Sequence, residues 1–265
     1  MVSTVVPGVL DLSQTAFEDA TTAAYEAVRR ELMELEACYP LRLWNFIPEL
    51  LSPLDNLPHR YMAFNAGRFR SYSRWFDHGA DSARHIPTAT GVGHEGPDLR
   101  IHCLSCVRPG TAVENPRQIP SYRYSRKFGP LPPCFSRATR IANGGPTGTP
   151  EWLLVGGTAS VLGEESAHAR DLRGQARETF RNLAAVVAAG SRRLPADPAE
   201  SPALWRRYRH LRVYYVDPAD LPALTEMVEG SFTALSSVEY RRADLCRPEL
   251  LVEIEGVAEL DRPGP

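Results

Sequence analysis

The sequence predicts an α+β chain made of two related units, each a mixed sheet with helices packed on one face. Three observations carry this. Apolar runs with period two alternate along the chain with runs of period 3.6, so strands and helices are interleaved. A helix and strand ending RLWNFIPEL near residue 45 recur as a helix and strand ending RVYYVDPAD near residue 215, which reads as an internal duplication. The 265 residues are enough for two units of ordinary size, and such a chain buries about 70% of its unfolded surface without disulfide or metal staples.

The first unit, residues 1–108, opens with an amphipathic helix over 15–38. Phe17, Ala20, Ala24, Val28, Leu32 and Leu35 form its apolar side, and Ser13 is its cap. A strand over 41–47 ends at Pro48, a helix rich in aromatics and arginines covers 57–76, and a short strand covers 98–103. Residues 78–97 are rich in Gly, His and Asp without a period and read as loop. The connection over 109–133 is proline-rich with little periodicity, and that length in a compact protein marks a binding loop or a linker.

The second unit, residues 134–265, reads ββαβαβ. It has a hairpin of strands 135–142 and 152–160 around a turn at 143–149, helix 171–189, strand 209–216, helix 218–228 and strand 250–258. In the first helix Leu172, Ala176, Phe180, Leu183 and Val187 make one apolar stripe. Gly156 and Gly157 interrupt the second hairpin strand, where another backbone or a ligand can come close. The terminal strand alternates, with Leu250, Val252, Ile254 and Gly256 on one face and Leu251, Glu253 and Glu255 on the other. Two carboxylates on one strand face require a reason. By comparison, the first unit begins at its helix and is expected to lack an opening hairpin, which leaves an exposed sheet edge.

Composition narrows the function. Lys plus Arg number 30 against 32 Asp plus Glu, so there is no broad basic field for nucleic acid or an anionic membrane surface. Acidic small molecules remain possible because they need only local cations. No apolar run approaches the roughly 18 residues of a membrane helix, and the start MVSTVVPGVLDLS lacks the cationic end of a signal peptide, so a cytoplasmic protein is expected. The five scattered cysteines fit reduced thiols. CLSC at 103–106 has no second pair to complete a zinc site, and GGPTG and GGTAS match no phosphate-binding loop, so no metal or cofactor is expected.

GTAS after a strand, QxxxTxxNL on a helix and a final LVEIEGVA strand resemble the RidA family of small α+β proteins. RYMAFNAGRFRSY, VENPRQIPSYRYSRKFGP, FSRAT, GTASVLGEESAH and CRPELLVEIEG, in that order, resemble the chorismatases, two-unit relatives that cleave chorismate. The resemblance implies two RidA-like units, no cofactor, and chorismate as the small-molecule partner. It also implies that a terminal-strand glutamate is the general acid, a role Glu253 fits better than Glu255. Such an acid must stay protonated near neutral pH, which burial achieves. Arg68 and Arg137 lie in matching stretches and are the candidates for holding the substrate carboxylates, with Arg140 behind them, because the guanidinium fork suits such groups. Tyr122 and Tyr124 are candidate hydroxyl donors from the long connection, or simply pack it down, and Gly157 is a candidate substrate contact.

Cys246 and Ala159 occupy the places that decide the product in the family. The cysteine points to 3-hydroxybenzoate, and the alanine to hydrolysis giving 3,4-dihydroxycyclohexa-1,5-diene carboxylate or to a mixture of the two. Two other readings stand beside these: RidA-type deamination of enamines or imines, and a non-catalytic binding module. The first is disfavoured because Ser236, Ser237 and Val238 occupy the neighbourhood where that chemistry needs an arginine. The duplication lets one chain supply contacts that RidA relatives take from neighbouring subunits, which favours a monomer.

Overall fold

The structure, a computed structural model, describes residues 1–76, 85–142, 150–191 and 201–260. Its first half runs β1 (Val2–Val6), α1 (Gln14–Met33), β2 (Tyr39–Pro48), α2 (Arg60–Trp75), β3 (Thr88–His94) and β4 (Leu99–Cys106). The second half runs β5 (Thr111–Val113), β6 (Ala138–Ile141), β7 (Glu151–Ala159), β8 (Val161–Leu162), β9 (Glu165–Ser166), α3 (Leu172–Gly190), α4 (Pro202–Trp205), β10 (Tyr208–Tyr215), α5 (Leu221–Ser231), β11 (Ser237–Arg242) and β12 (Val252–Leu260).

The two main sheets have the orders β1-β4-β2-β3 and β11-β10-β12-β7-β6-β5. Read from opposite ends, the four strands of the first correspond to the first four of the second. The parallel pair β2–β3 matches β10–β11, and the antiparallel partners β4 and β1 match β12 and β7. The same α+β arrangement occurs twice, as the duplication in the sequence implies, with α1 and α2 over the first sheet and α3 and α5 over the second. The opening hairpin of the first unit is absent as a hairpin, but one strand, β1, is present and pairs along β4.

Several expectations change. α1 ends at Met33, so Leu35 lies beyond it and is 45% exposed. Much of the segment expected as loop is β3, paired in parallel with β2. Its glycines hid it. A Cβ on Gly93 would come within 2.9 Å of the Asp244 Cβ, and one on Gly91 would meet the Tyr61 ring at 3.2 Å. β11 was also missed, so the second unit closes with two strands rather than one, and β5 forms inside the long connection. The expected turn at 143–149 lies outside the described residues.

Each unit has its own core under its helices. Phe17, Val28, Leu43, Ile47, Phe64 and Ile101 belong to the first, and Phe180, Leu183, Val213, Val252 and Ile254 to the second. The α3 stripe is buried at Ala176, Phe180, Leu183 and Val187, with Asp171 capping the helix by accepting from the Gly174 N–H at 2.9 Å. Because strand side chains alternate, β2 sends Leu43 and Ile47 to its helices and Arg42 and Trp44 toward the second sheet. β12 likewise sends Val252 and Ile254 to α3, and Glu253 and Glu255 toward the first sheet. A third apolar cluster, with Val92 of β3, Ala159 of β7 and Tyr214 of β10, closes the seam.

Candidate active site

A cavity of about 240 Å³ opens in this seam. α2 contributes Tyr61, Asn65 and Arg68, and β3 contributes Thr90. The long connection contributes Gln118, Tyr124 and Phe128, and the chain entering β6 contributes Phe135 and Arg137. β7 adds Gly157 and Ala159, the approach to β12 adds Cys246 and Arg247, and β12 adds Glu253.

The two carboxylates of β12 meet different fates. Glu255 accepts from Arg42 Nη2 at 2.6 Å, Trp44 Nε1 at 2.8 Å, Thr90 Oγ1 at 2.6 Å and Arg212 Nη1 at 3.1 Å. Glu253 is equally buried, at 5% exposure. Among the described residues no hydrogen bond reaches its carboxyl. Burial, reinforced by the neighbouring Glu255 and opposed by Arg42, Arg137 and Arg247, pushes it up to about 8. Glu253 is therefore a carboxylic acid at neutral pH, able to give a proton.

Gly157 makes that position available. β7 bulges between the partners of Ile254 and Gly256, so Gly156 and Gly157 leave the regular ladder. Freed from it, the Gly157 N–H donates to Thr90 Oγ1 at 2.9 Å, and a Cβ there would lie 2.0 Å from Glu253 Oε1. The neighbouring Gly156 meets Ala89 O and the Thr88 side chain of β3. The sequence expectation of a close approach at this glycine pair holds, with a carboxyl group and a β3 backbone as the visitors.

Arg68 and Arg137 both reach the cavity. Arg68 is 1% exposed, lies over the Phe64 and Phe135 rings at 5.2 and 5.5 Å, and donates Nη2 to Asn65 Oδ1 at 2.8 Å. Arg137 donates Nη2 to Tyr124 Oη at 2.7 Å and to Ile119 O at 3.1 Å. Among the described residues the buried Nε of each has no partner. Two desolvated guanidinium groups with unused N–H donors suit an anion with more than one acidic group. Tyr124 thus lines the cavity, whereas Tyr122 packs against the first core and does not. Arg140 is ion-paired with Glu151. Ala159 faces Glu253 directly across the ladder. Cys246 lines the cavity, its thiol pushed up to about 12 by burial and by Glu253.

The sequence reading missed Arg247, which stacks over Phe128 at 4.2 Å and donates to Glu164 O at 2.9 Å. It also missed Thr90 and Arg42. Arg247 stands next to Cys246 within CRPELLVEIEG, so that stretch held its signal. Arg42 matches Arg212 in the repeat, but nothing in one sequence says that the two meet on one carboxylate. Among the described residues no group of three His, Cys, Asp or Glu is placed to hold a metal ion, and no helix is long and apolar enough to cross a membrane.

A buried carboxyl that favours its uncharged form, set beside two arginines with unused Nε donors in one cavity, is an arrangement suited to protonating an anionic small molecule. Comparison with known proteins gives the family. Residues 4–105 match the family described as Chorismatase FkbO/Hyg5-like, N-terminal. The chain is 34% identical over 245 residues to a 3-hydroxybenzoate synthase of Streptomyces hygroscopicus, covering 91% of this chain and 69% of that one. It is 30% identical over 247 residues to a chorismatase of the same organism, covering 91% and 67%. A chorismatase crystal structure superposes with a TM-score of 0.79 at 28% identity, over 97% of this chain and 74% of that one. The chain belongs to the chorismatases.

Proposed function

We propose that this protein cleaves chorismate to pyruvate and 3-hydroxybenzoate without a cofactor, with Glu253 as the proton donor. The observation that carries the reading is the Glu253 carboxyl, buried, unpaired among the described residues and raised to about 8, in one cavity with Arg68 and Arg137. Chorismate carries two carboxylates and an enolpyruvyl ether. Arg68 and Arg137 hold the carboxylates through their unused N–H donors, and Tyr124 fixes the Arg137 fork. Glu253 delivers its proton to the terminal methylene of the ether, and the positive charge develops on the ether carbon as an oxocarbenium ion. The ring's own hydroxyl attacks the ring carbon that bears the ether, and the bond from that carbon to the ether oxygen breaks with its electrons completing the ketone of pyruvate. The hydroxyl proton passes to the Glu253 carboxylate, leaving an arene-oxide-like species that opens to 3-hydroxybenzoate. No water is consumed and the atoms balance. Holding the dianion in one pose supplies a large part of the rate by removing its entropic cost.

Hydrolysis to the dihydrodiol is the second reading. A specific feature favours it: Ala159, with its methyl group, stands opposite Glu253 at the place that distinguishes the two outcomes. Cys246 and the 34% identical 3-hydroxybenzoate synthase favour the first. The protein mixed with chorismate, with pyruvate followed through lactate dehydrogenase and the ring products separated by chromatography, decides. Pyruvate with 3-hydroxybenzoate is expected. Dihydrodiol alone would establish the second reading, and folded protein that yields no pyruvate would remove both.

A further inference from the structure

Arg42 and Arg212 occupy equivalent places in the duplicated strands, in RLWNFIP and RVYYVDP, and both converge on Glu255. Arg42 is 3% exposed and comes from the first sheet; Arg212 comes from β10, beside Glu255 in the ladder. Trp44 and Thr90 complete the set, so one carboxylate accepts four donors from β2, β3 and β10. Two residues earlier on the same strand face, Glu253 accepts none among the described residues. An ion pair buried this deeply is a weak device for stability, because desolvation offsets most of the attraction. Its location offers another purpose.

We propose that Glu255 is a positioning residue of the reaction: by engaging Arg42 it keeps an uncompensated guanidinium away from Glu253 and so leaves that acid protonated for its substrate. The inference rests on the proton-donor role given to Glu253 above. The groups facing Glu253 support it. From β2 comes Arg42, whose charge is felt at both glutamates, and from β10 comes Tyr214, its ladder partner. The chain entering β6 brings Arg137, and the approach to β12 brings Cys246 and Arg247. α2 brings Tyr61. Of the three cations, Arg42 is the one committed to an acid on β12 itself. Were Glu255 neutral, Arg42 would turn from a partner of that residue into the nearest compensation for an ionised Glu253. Thr90 ties the parts together, since it donates to Glu255 and accepts from the N–H of Gly157, the residue whose missing Cβ leaves room for the Glu253 carboxyl.

The test reads Glu253 directly. The infrared carbonyl band of its protonated carboxyl, identified by its loss in Glu253→Gln, is titrated in wild type, Glu255→Gln and Glu255→Asp. In Glu255→Gln the midpoint should fall by about one pH unit or more. The alkaline limb of kcat/KM on chorismate should fall with it. Glu255→Asp, which keeps the charge, should restore both. An unmoved midpoint in Glu255→Gln overturns the proposal, even where activity is lost. If Glu255→Gln does not fold, Arg212→Gln serves, because Arg212 is partly exposed and its removal leaves the Glu255 charge less neutralised. The midpoint should then rise, and a fall or no change overturns the proposal. The band titrates whether or not chorismate is turned over, so failure of the proposed reaction is seen separately.

Discussion

Gly157→Ala separates stability from catalysis. The new methyl carbon would stand 2.0 Å from Glu253 Oε1 and 2.8 Å from its Cδ, where ordinary contact begins at 3.4 Å. The carboxyl must therefore retreat by more than about 1 Å, a displacement that costs a positioned group about 100-fold in rate, or about 2.7 kcal/mol. The fold loses far less. The clashing atoms are the free end of a side chain beside an open cavity, and the remaining close contact, Thr90 Cγ2 at 3.3 Å, needs only a small adjustment. Gly157 is not in the left-handed region, so alanine also removes unfolded-state entropy, a gain of roughly 0.4–1 kcal/mol. Net stability should stay within about 1 kcal/mol, which is a Tm change of about 4 °C or less. Thermal melting and pyruvate release, measured on the same preparation, are the assay. Activity within about threefold of wild type would refute the placement of Glu253, and a loss that merely tracks unfolding would refute the partition between the two effects.

Other consequences follow from the same geometry. Because burial raises Glu253 from 4.5 to about 8, its contribution to stability is full below about pH 4.5 and is lost as pH rises to about 8. The Tm of wild type should therefore fall relative to Glu253→Gln across that window, and a constant difference would contradict a protonated carboxyl. Cys246→Ala should move product from 3-hydroxybenzoate toward the dihydrodiol on chromatography, with an unchanged ratio removing its role. Arg137→Lys keeps the charge but loses the fork that serves Tyr124 and the substrate. KM should rise about 10- to 100-fold with little change in Tm, and an unaltered KM would take Arg137 out of substrate binding.

What the sequence revealed follows from period. The α3 stripe and the β12 alternation are local, so Phe180, Leu183, Glu253 and Glu255 could be placed on their faces before any coordinates. The glycine pair at 156 and 157 was legible as a close approach, and the repeated RLWNFIP and RVYYVDP segments exposed the duplication. β3 was lost because Gly91 and Gly93, required by Tyr61 and Asp244 packed against them, imitate a loop. β11 was lost because it is an edge strand whose side chains are partly or fully exposed, so it carries no clear alternation. The family resemblance favoured Glu253 over Glu255, but the physical cause of their difference was invisible because it depends on Arg42, Trp44 and Thr90, which arrive from a different sheet. Tyr122 and Tyr124 are two residues apart, yet one joins the first core and the other reaches Arg137. That difference arises from the path of a connection with no period to read.

Glu253→Gln, compared with wild type in a single-turnover reaction with chorismate, tests the central assignment most directly. The amide keeps the shape of the side chain and has no acidic proton to give. The account predicts that the variant still binds a product analogue, melts normally and releases no pyruvate above background. Pyruvate appearing at a rate near that of wild type would contradict it and place the proton donor elsewhere in the cavity.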